Sequence, residues 1–367
     1  MKKFSPSFYS VTLCLAAFLG FFYAIDTYGQ GCIAVRHMGM CTATDSSGFL
    51  NKGQFQLTLG YRFLHSYKHF KGDEEQVERV EQQTEVINRT TSMDITLSYA
   101  VNRKLVLNAT MPLVYSDRSS LYEHDRKNRF NTKAYGIGDM RLTATYWILD
   151  PMKSMKRNVS IGGGLKLPTG NENTTDVFYT VNGPQERPVD QSIQPGDGGW
   201  GVNVEFQAYT HIAHRLYAYA NGFYLFNPMN TNGVRTYRDS LNPILANEAI
   251  MSITDQFMVR GGLSFYPMNN NKLNVTLGAR VEGVPVKDAF GKSDGFRRPG
   301  FIVSIEPGVT YKIKQKHEVN VSVPAALYRN RLQSLTDKET QALTGKPRHG
   351  DAAFADYLLL ITYAYKF

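Results

Sequence analysis

The stretch that decides the fold ends the sequence and reads Tyr357-Leu-Leu-Leu-Ile-Thr-Tyr-Ala-Tyr-Lys-Phe367. Every second side chain from Tyr357 to Phe367 is apolar or aromatic, and Thr362 and Lys366 lie between them. A period of two predicts a β-strand with one face toward an apolar environment and the other toward a polar one. The tyrosines and the final phenylalanine are residue types that favour strands.

The same period of two recurs from residue 52 onward and predicts about twelve strands, with fourteen as the alternative. The other predicted strands are 55–63, 93–101, 105–113, 140–148, 159–167, 200–208, 216–226, 257–265, 273–281, 301–311 and 319–323. Many are longer than the roughly five or six residues usual in soluble sheets. Their apolar faces also carry aromatic residues near the ends, such as Tyr61, Tyr146 and Trp200, which resemble the interfacial girdles of membrane barrels.

The connections between these strands alternate in length. Short ones are predicted at 102–104, 150–158, 213–215, 267–272 and 314–318, and long ones at 70–90, 116–134, 169–198, 228–250, 286–298 and 331–353. Outer-membrane barrels have this combination of tight periplasmic turns and long extracellular loops. The predicted fold of residues 52–367 is therefore all-β, a transmembrane antiparallel up-and-down barrel in the bacterial outer membrane. A soluble antiparallel sandwich is the alternative, but it would have to protect its exposed strand edges.

The N-terminal residues predict export from the cytoplasm. Residues 1–30 contain Lys2 and Lys3, then an apolar run too short to cross a bilayer as a helix, and then small and polar residues, as a signal peptide does. A retained signal anchor is the alternative. Residues 31–51 are predicted to form a periplasmic segment in which Cys32 and Cys41 form a disulfide. Lipidation of Cys32 and a metal or redox site are the other possibilities.

Composition excludes two classes of protein. Hydrophobic residues make up 42% of the chain and the mean hydropathy is −0.32, which excludes a helical membrane protein. The formal net charge is +9, but no run of lysine and arginine exceeds two residues, so we expect no nucleic-acid partner.

The polar face of the predicted strands supplies candidate lumen-lining residues. They are Arg62, Asp94, Asp139, Arg141, Lys166, Glu205, Arg260, Arg280, Glu282, Glu306 and Lys312. Basic and acidic side chains are nearly balanced in this set, which argues against a wide, strongly ion-selective pore. Two interpretations stay open: a structural salt-bridge network, or a set of residues that lines a solute path.

The sequence carries no convincing catalytic or metal site. Its histidines make no convincing pair, since His211 and His214 are spaced so that a strand would place them on opposite faces. We therefore predict no enzymatic activity, no cofactor and no metal.

Three local motifs carry a family resemblance. They are Gly136-Ile-Gly-Asp139, Gly164-Leu-Lys-Leu-Pro-Thr-Gly170 and Gln194-Pro-Gly-Asp-Gly198. In this order the chain resembles the outer-membrane barrels grouped as the phenol-degradation meta-pathway family. The resemblance implies an outer-membrane barrel that passes small hydrophobic or aromatic compounds, and it assigns no binding residue. The glycines near these motifs would let strands approach closely, so we expect Gly163→Val to impair assembly.

These observations lead to two functional hypotheses. The first is a narrow channel or transporter for small, hydrophobic or aromatic solutes. The second is a structural barrel with a plugged lumen that docks a partner through its loops or its N-terminal segment. In both cases the expected partners are outer-membrane lipid and the barrel assembly machinery, which would read the terminal Phe367; the solute is unknown.

Overall fold

The computed structural model describes residues 49–238, 243–314 and 316–367. The strands are β1 (Phe55–Lys71), β2 (Glu74–Glu75), β3 (Ile87–Ala100), β4 (Leu105–Ser120), β5 (Phe130–Ile137), β6 (Met140–Trp147), β7 (Arg157–Leu167), β8 (Thr175–Thr180), β9 (Gly183–Pro188), β10 (Gly201–Ala213), β11 (Leu216–Phe226), β12 (Thr231–Arg235), β13 (Ile250–Ser252), β14 (Gln256–Phe265), β15 (Leu273–Val284), β16 (Gly300–Ile313), β17 (His317–Ser322), β18 (Ala325–Arg331) and β19 (Ala352–Lys366). The helices are α1 (Val77–Glu81), a 3-10 helix (Pro243–Ala249) and α2 (Leu335–Thr344).

Twelve antiparallel strands close into one barrel. The order around the wall is β1, β3, β4, β6, β7, β10, β11, β14, β15, β16, β17 and β19, and β19 pairs again with β1. The closing seam runs in register from Gln56 opposite Lys366 to Leu64 opposite Leu358. Two wall strands are interrupted: β5 continues β6 along β4, and β18 continues β17 along β16. The predicted all-β barrel of twelve strands is confirmed.

The alternation of side chains sorts the wall into two faces. In β1 the even-numbered residues from Gln56 to Ser66 are buried, whereas the odd-numbered ones face outward. The outward face is apolar, and Leu277 and Ile161 remain 54% and 56% exposed there. A continuous apolar surface of this kind marks a membrane-facing belt. In such a belt the apolar side chains lie in hydrocarbon and the backbone groups are paired between strands.

The barrel has two different ends. The connections 101–104, 148–156, 214–215, 266–272 and 314–316 form its short-turn end, and the connections 72–86, 121–129, 168–200, 227–255, 285–299 and 332–351 form its long-loop end. The long connections contain structure of their own: the β8–β9 hairpin, the β12–β13 pair and α2. Helix α2 begins with a capping box between Ser334 and Asp337 and ends at Gly345, whose φ of 68° lies in the left-handed region.

The strands extend further toward the long-loop end than the sequence predicts. Strand β1 continues to Lys71 and β4 to Ser120, so the predicted loops 70–90 and 116–134 are wrong at their flanks. The physical reason is that these extensions lack a fully apolar outward face, as Arg89 and Asp117 in the ladder between β3 and β4 show. A criterion based on apolar alternation therefore ends each strand where the apolar belt ends.

The N-terminal predictions concern residues that the structure does not describe. The signal segment 1–30 and the Cys32 and Cys41 pair lie outside the described residues and stay predictions. Within the described ranges, no helix has the length and apolar character needed to cross a membrane.

Close strand approach at one glycine gives the first testable prediction. A Cβ added at Gly164 would lie 2.1 Å from the carbonyl oxygen of Leu142 on β6, whereas a Cβ at Gly163 would meet nothing closer than 3.6 Å. The close strand approach that the sequence analysis expects at Gly163 is therefore found at its neighbour, Gly164. Gly164→Ala should push β6 and β7 apart and lower the free energy of unfolding by about 1–3 kcal/mol.

Gly163→Ala is the matched control for this substitution. Urea unfolding in lipid vesicles, followed by heat-modifiable gel mobility, compares the two variants. Equal stability of the two would show that the strands do not approach this closely.

Candidate functional site

The inward face encloses a polar cavity of about 160 Å³ in the middle of the barrel. Threonine, serine and asparagine side chains form much of its wall, such as Thr96, Asn108 and Asn320. Charged residues from several strands complete it, namely Asp94, Arg141, Glu205, Arg260 and Arg280. The interior is thus a space lined by hydrogen-bonding groups rather than an apolar core.

Ion pairs hold Asp94, Arg141, Arg260 and Arg280 of this set. Arg141 lies 2.7 Å from Asp94, and Arg260 lies 2.6 Å from Glu306. Arg280 lies 2.7 Å from Glu282 and 3.6 Å from Glu306, so one guanidinium lies between two carboxylates. Because burying an isolated charge costs several kcal/mol, this mutual pairing is what allows ionised side chains inside the wall.

The remaining candidates from the sequence also lie on the inward side. Arg62 and Lys312 are buried, and Glu205 accepts a hydrogen bond from the Thr145 hydroxyl at 2.8 Å. Lys166 contacts Asp197 and lies 4.0 Å from Asp139. That these residues line the path of a solute stays a prediction.

The last part of the long connection 168–200, after the exposed β8–β9 hairpin, folds inward. Asp190, Ile193 and Gln194 are almost completely buried. The Gln194 amide donates hydrogen bonds to the carbonyl oxygens of Thr174 and Val189, both at 3.1 Å. We call residues 189–199 the inward loop, because they lie inside the wall at the long-loop end.

The three motifs of the family resemblance meet at the base of the inward loop. Asp139 accepts hydrogen bonds from the backbone N–H groups of Gly170 and Asp197, each at 3.0 Å. A Cβ on Gly170 would lie 2.7 Å from the Cα of Gly196, so both positions need glycine. The motifs therefore tie the inward loop to the interruption between β5 and β6, next to Gly138.

A second cavity of about 60 Å³ lies between the inward loop and the wall. Asp139, Lys166, Gln194 and Asp197 line it, and Arg141 lines both this cavity and the larger one. The Arg141–Asp94 ion pair is therefore placed between the two spaces.

A buried group of charges holds the inward loop in place. Asp190 lies 3.5 Å from Arg118 on β4 and 2.5 Å from Arg298 in the connection before β16. Arg118 also lies 2.6 Å from Glu123. Burial raises the pKa of Asp190, but Arg118 and Arg298 outweigh it and hold this pKa well below the usual range of an aspartate.

Sequence reasoning missed this group because it placed all four of its members in loops, with Arg118 and Glu123 in the connection predicted at 116–134. Asp190 and Arg298 lie in connections predicted at 169–198 and 286–298. For Arg118 a signal existed, since the even-numbered buried positions of β4 continue past residue 113 through Val114 and Ser116.

Within the described part of the chain, no three histidine, cysteine, aspartate or glutamate side chains are grouped as metal ligands would be.

Comparisons with known proteins bear on the fold. No protein-family profile matches this chain, and no curated protein matches it in sequence. An outer membrane channel from Pseudomonas putida F1 is 11% identical and superposes with a TM-score of 0.56, covering 87% of this chain and 97% of that one. The toluene transporter TodX from Pseudomonas putida is 12% identical with a TM-score of 0.43, covering 93% and 99%. The β domain of the Bordetella autotransporter Brka is 12% identical with a TM-score of 0.43, covering 86% and 100%.

The first of these similarities supports the barrel fold. The other two superpose too poorly to support a statement about this chain. The resemblance to the phenol-degradation family therefore stays a prediction.

Removal of the Asp190 charge tests whether ion pairs hold the inward loop. Asp190→Asn should lower the free energy of unfolding by about 3–5 kcal/mol, because it removes the buried carboxylate that pairs with both Arg118 and Arg298. The variant should also expose residues 189–199 to limited proteolysis. Since the pKa of Asp190 is lowered, its contribution to stability is present above the ordinary aspartate pKa and is lost as the pH falls toward the lowered value.

Glu339→Gln is the control, since Glu339 is an exposed carboxylate on α2, away from the inward loop. It should leave unfolding and proteolysis unchanged. An Asp190→Asn protein as stable and as resistant as the wild type would contradict this role of the ion pairs.

Proposed function

We propose that the protein is a bacterial outer-membrane channel that passes small solutes through a narrow lumen. One observation carries the proposal: a closed barrel with an apolar outer belt encloses a polar cavity where a packed core could have been. An interior filled with apolar side chains would suit a purely structural barrel better. The most similar fold among the comparisons described above belongs to a protein described as an outer membrane channel, which supports the same function.

The size and lining of the lumen limit the solute. A cavity of about 160 Å³ is comparable to the roughly 150 Å³ cavity that holds a benzene molecule in another protein. Solutes of one small ring or a short chain therefore fit, and folded peptides do not. The motifs that resemble the phenol-degradation family support a hydrophobic or aromatic solute.

The two ends of the barrel indicate how it lies in the membrane. We propose that the short-turn end faces the periplasm and the long-loop end faces outward, as in barrels of this type. Lipid would contact the apolar belt. Phe367 stacks on Phe55 across the closing seam, with ring centroids 5.8 Å apart, and we propose that the assembly machinery reads this terminal strand.

We propose transport rather than catalysis, because most charged side chains of the lumen form ion pairs with one another. Arg280 lies between Glu282 and Glu306, an arrangement that neutralises these carboxylates.

The inward loop supports the alternative, a plugged barrel that docks a partner. Its residues Ile193 and Gln194 are nearly inaccessible, and the ion pairs of Asp190 hold it at the long-loop end. A permanently plugged barrel would not conduct and would co-purify with its partner from native membranes.

Planar-bilayer conductance of the refolded protein separates these two functions. A channel should give small, well-defined openings with weak ion selectivity, since the lumen charges are paired. Absence of openings from correctly folded protein, together with a co-purified partner, would contradict the channel.

Charge substitutions in the lumen give a sharper prediction. Arg280→Gln removes the arginine that pairs with Glu282, while Glu306 keeps Arg260. The added net negative charge should raise the ratio of cation to anion permeability about twofold or more. Glu282→Gln should shift the same permeability ratio toward anions. Because the two substitutions are expected to change the ratio in opposite directions, a general loss of folding cannot produce both results. Lys346→Gln, at an exposed position of a long connection, should change neither. Reversal potentials in a salt gradient measure the ratio, and identical values in all four proteins would show that ions do not pass these residues.

A further inference from the structure

The inward face changes its chemistry at the short-turn end. There the inward side chains are large and aromatic, and we call Trp147, Tyr209, Tyr217, Tyr219 and Tyr266 the aromatic collar. Trp147 and Tyr209 lie with ring centroids 6.0 Å apart, and Tyr217 and Tyr266 also 6.0 Å apart. These residues belong to β6, β10 and β11 and to the residue after β14, so the collar follows one side of the wall.

The collar is the next layer below the polar cavity. Thr145 on β6 and Gln207 on β10 line the cavity. Trp147 and Tyr209 are the next residues on the same faces of these strands, roughly 7 Å further along. A solute that leaves the cavity toward the short-turn end therefore meets aromatic rings.

A side chain from outside the wall occupies the collar. Phe49 precedes β1, and its ring lies edge-on to Trp147 with centroids 5.2 Å apart and 6.2 Å from the ring of Tyr209. Phe49 is only 8% exposed. Because β3 and β4 separate β1 from β6 in the wall, the chain crosses the mouth of the barrel to bring Phe49 there.

The segment that carries Phe49 is attached to the ends of β3 and β19. The Gly53 N–H donates a hydrogen bond to the carbonyl oxygen of Ala100 at 2.7 Å. The Lys366 ammonium group donates to the carbonyl oxygen of Phe49 at 3.5 Å. The ring is thus tethered beside its site, and ring contacts in the collar hold its side chain.

The chemistry of the collar selects what else could bind there. Aromatic rings attract one another in edge-on and offset arrangements, and apolar pockets with a few polar groups bind small uncharged ligands. The Tyr209 hydroxyl donates to the carbonyl oxygen of Ser154 at 3.1 Å, which leaves its ring face for packing. The ligand class that fits is therefore an uncharged aromatic ring, the same chemistry as the side chain of phenylalanine.

We propose that the aromatic collar is a binding site for an uncharged aromatic solute and that the Phe49 side chain fills this site until a solute displaces it. The proposal rests on the channel function. It adds the class of solute that the channel binds and the side chain that closes the short-turn end. A tethered ring competes at an effective concentration of roughly millimolar order, so removal of the Phe49 ring should strengthen the binding of a free ring.

Trp147 provides a direct readout, because the chain has only two tryptophans and the other, Trp200, is 54% exposed on the outside. In a Trp200→Phe background, fluorescence reports on the collar alone. Nitrobenzene, an uncharged aromatic quencher, should quench Trp147 saturably, and Phe49→Ala should lower the half-saturating concentration by about fivefold or more. Leu50→Ala is the matched control, since Leu50 is adjacent and equally buried at 8%.

Acrylamide, a polar quencher without a ring, separates ring binding from simple opening of the mouth. Equal nitrobenzene saturation in Phe49→Ala and Leu50→Ala would overturn the proposal. So would a gain in quenching by acrylamide as large as that by nitrobenzene. Tyr209→Leu in the Phe49→Ala protein should weaken nitrobenzene binding, and unchanged binding there would also overturn it.

Planar-bilayer conductance of the same variants distinguishes this inference from the proposed function. Phe49→Ala should conduct more than Leu50→Ala. Larger conductance without saturable nitrobenzene quenching would overturn the aromatic site and leave the channel. Saturable quenching without any conductance would support the site and overturn the channel.

Discussion

The whole structure depends on the pairing of the first wall strand with the last. In hydrocarbon an unpaired backbone N–H or C=O group costs several kcal/mol, so a sheet that spans a membrane must leave no edge. Here β1 pairs with β3 on one side and with β19 on the other, and Phe55 and Phe367 exchange two backbone hydrogen bonds at the end of the seam. Closure then separates an outside, which lipid requires to be apolar, from an inside with no such requirement.

Because lipid does not contact the interior of the barrel, the interior can differ in chemistry along the barrel axis, and it has three layers. At the long-loop end the inward loop is held by Asp190 and two arginines. In the middle the charged side chains neutralise one another around a polar cavity, and at the short-turn end aromatic rings enclose Phe49. The side chains inside the barrel are stabilised differently in each layer: charges are paired, polar groups face a cavity, and aromatic rings pack against one another.

The sequence predicts most of the fold because lipid acts on every second residue of every strand. The period of two therefore identifies the wall and also which side chains share a face, and the structure places Arg280, Glu282 and Glu306 of that set in one ion-paired group. Contacts between the long connections produce no repeating pattern of this kind in the sequence. Asp190 and Arg298 are 108 residues apart in the chain, and nothing in either local sequence indicates the other. The aromatic collar could be predicted only in part. The sequence shows that both faces of β11 are apolar, but only the fold shows that Phe49 reaches the collar.

The central claim is closure of the barrel between β1 and β19 in the register described above. Thr58 and Ala364 are opposite each other and both inward, and they form a pair without mutual hydrogen bonds, whose Cα atoms lie roughly 4.5 Å apart. In a protein with Cys14, Cys32 and Cys41 replaced by serine, Thr58→Cys with Ala364→Cys should form a disulfide in the membrane. The register-shifted pair Thr58→Cys with Thr362→Cys should not. Efficient cross-linking of the shifted pair, or of neither pair in folded protein, would contradict the account.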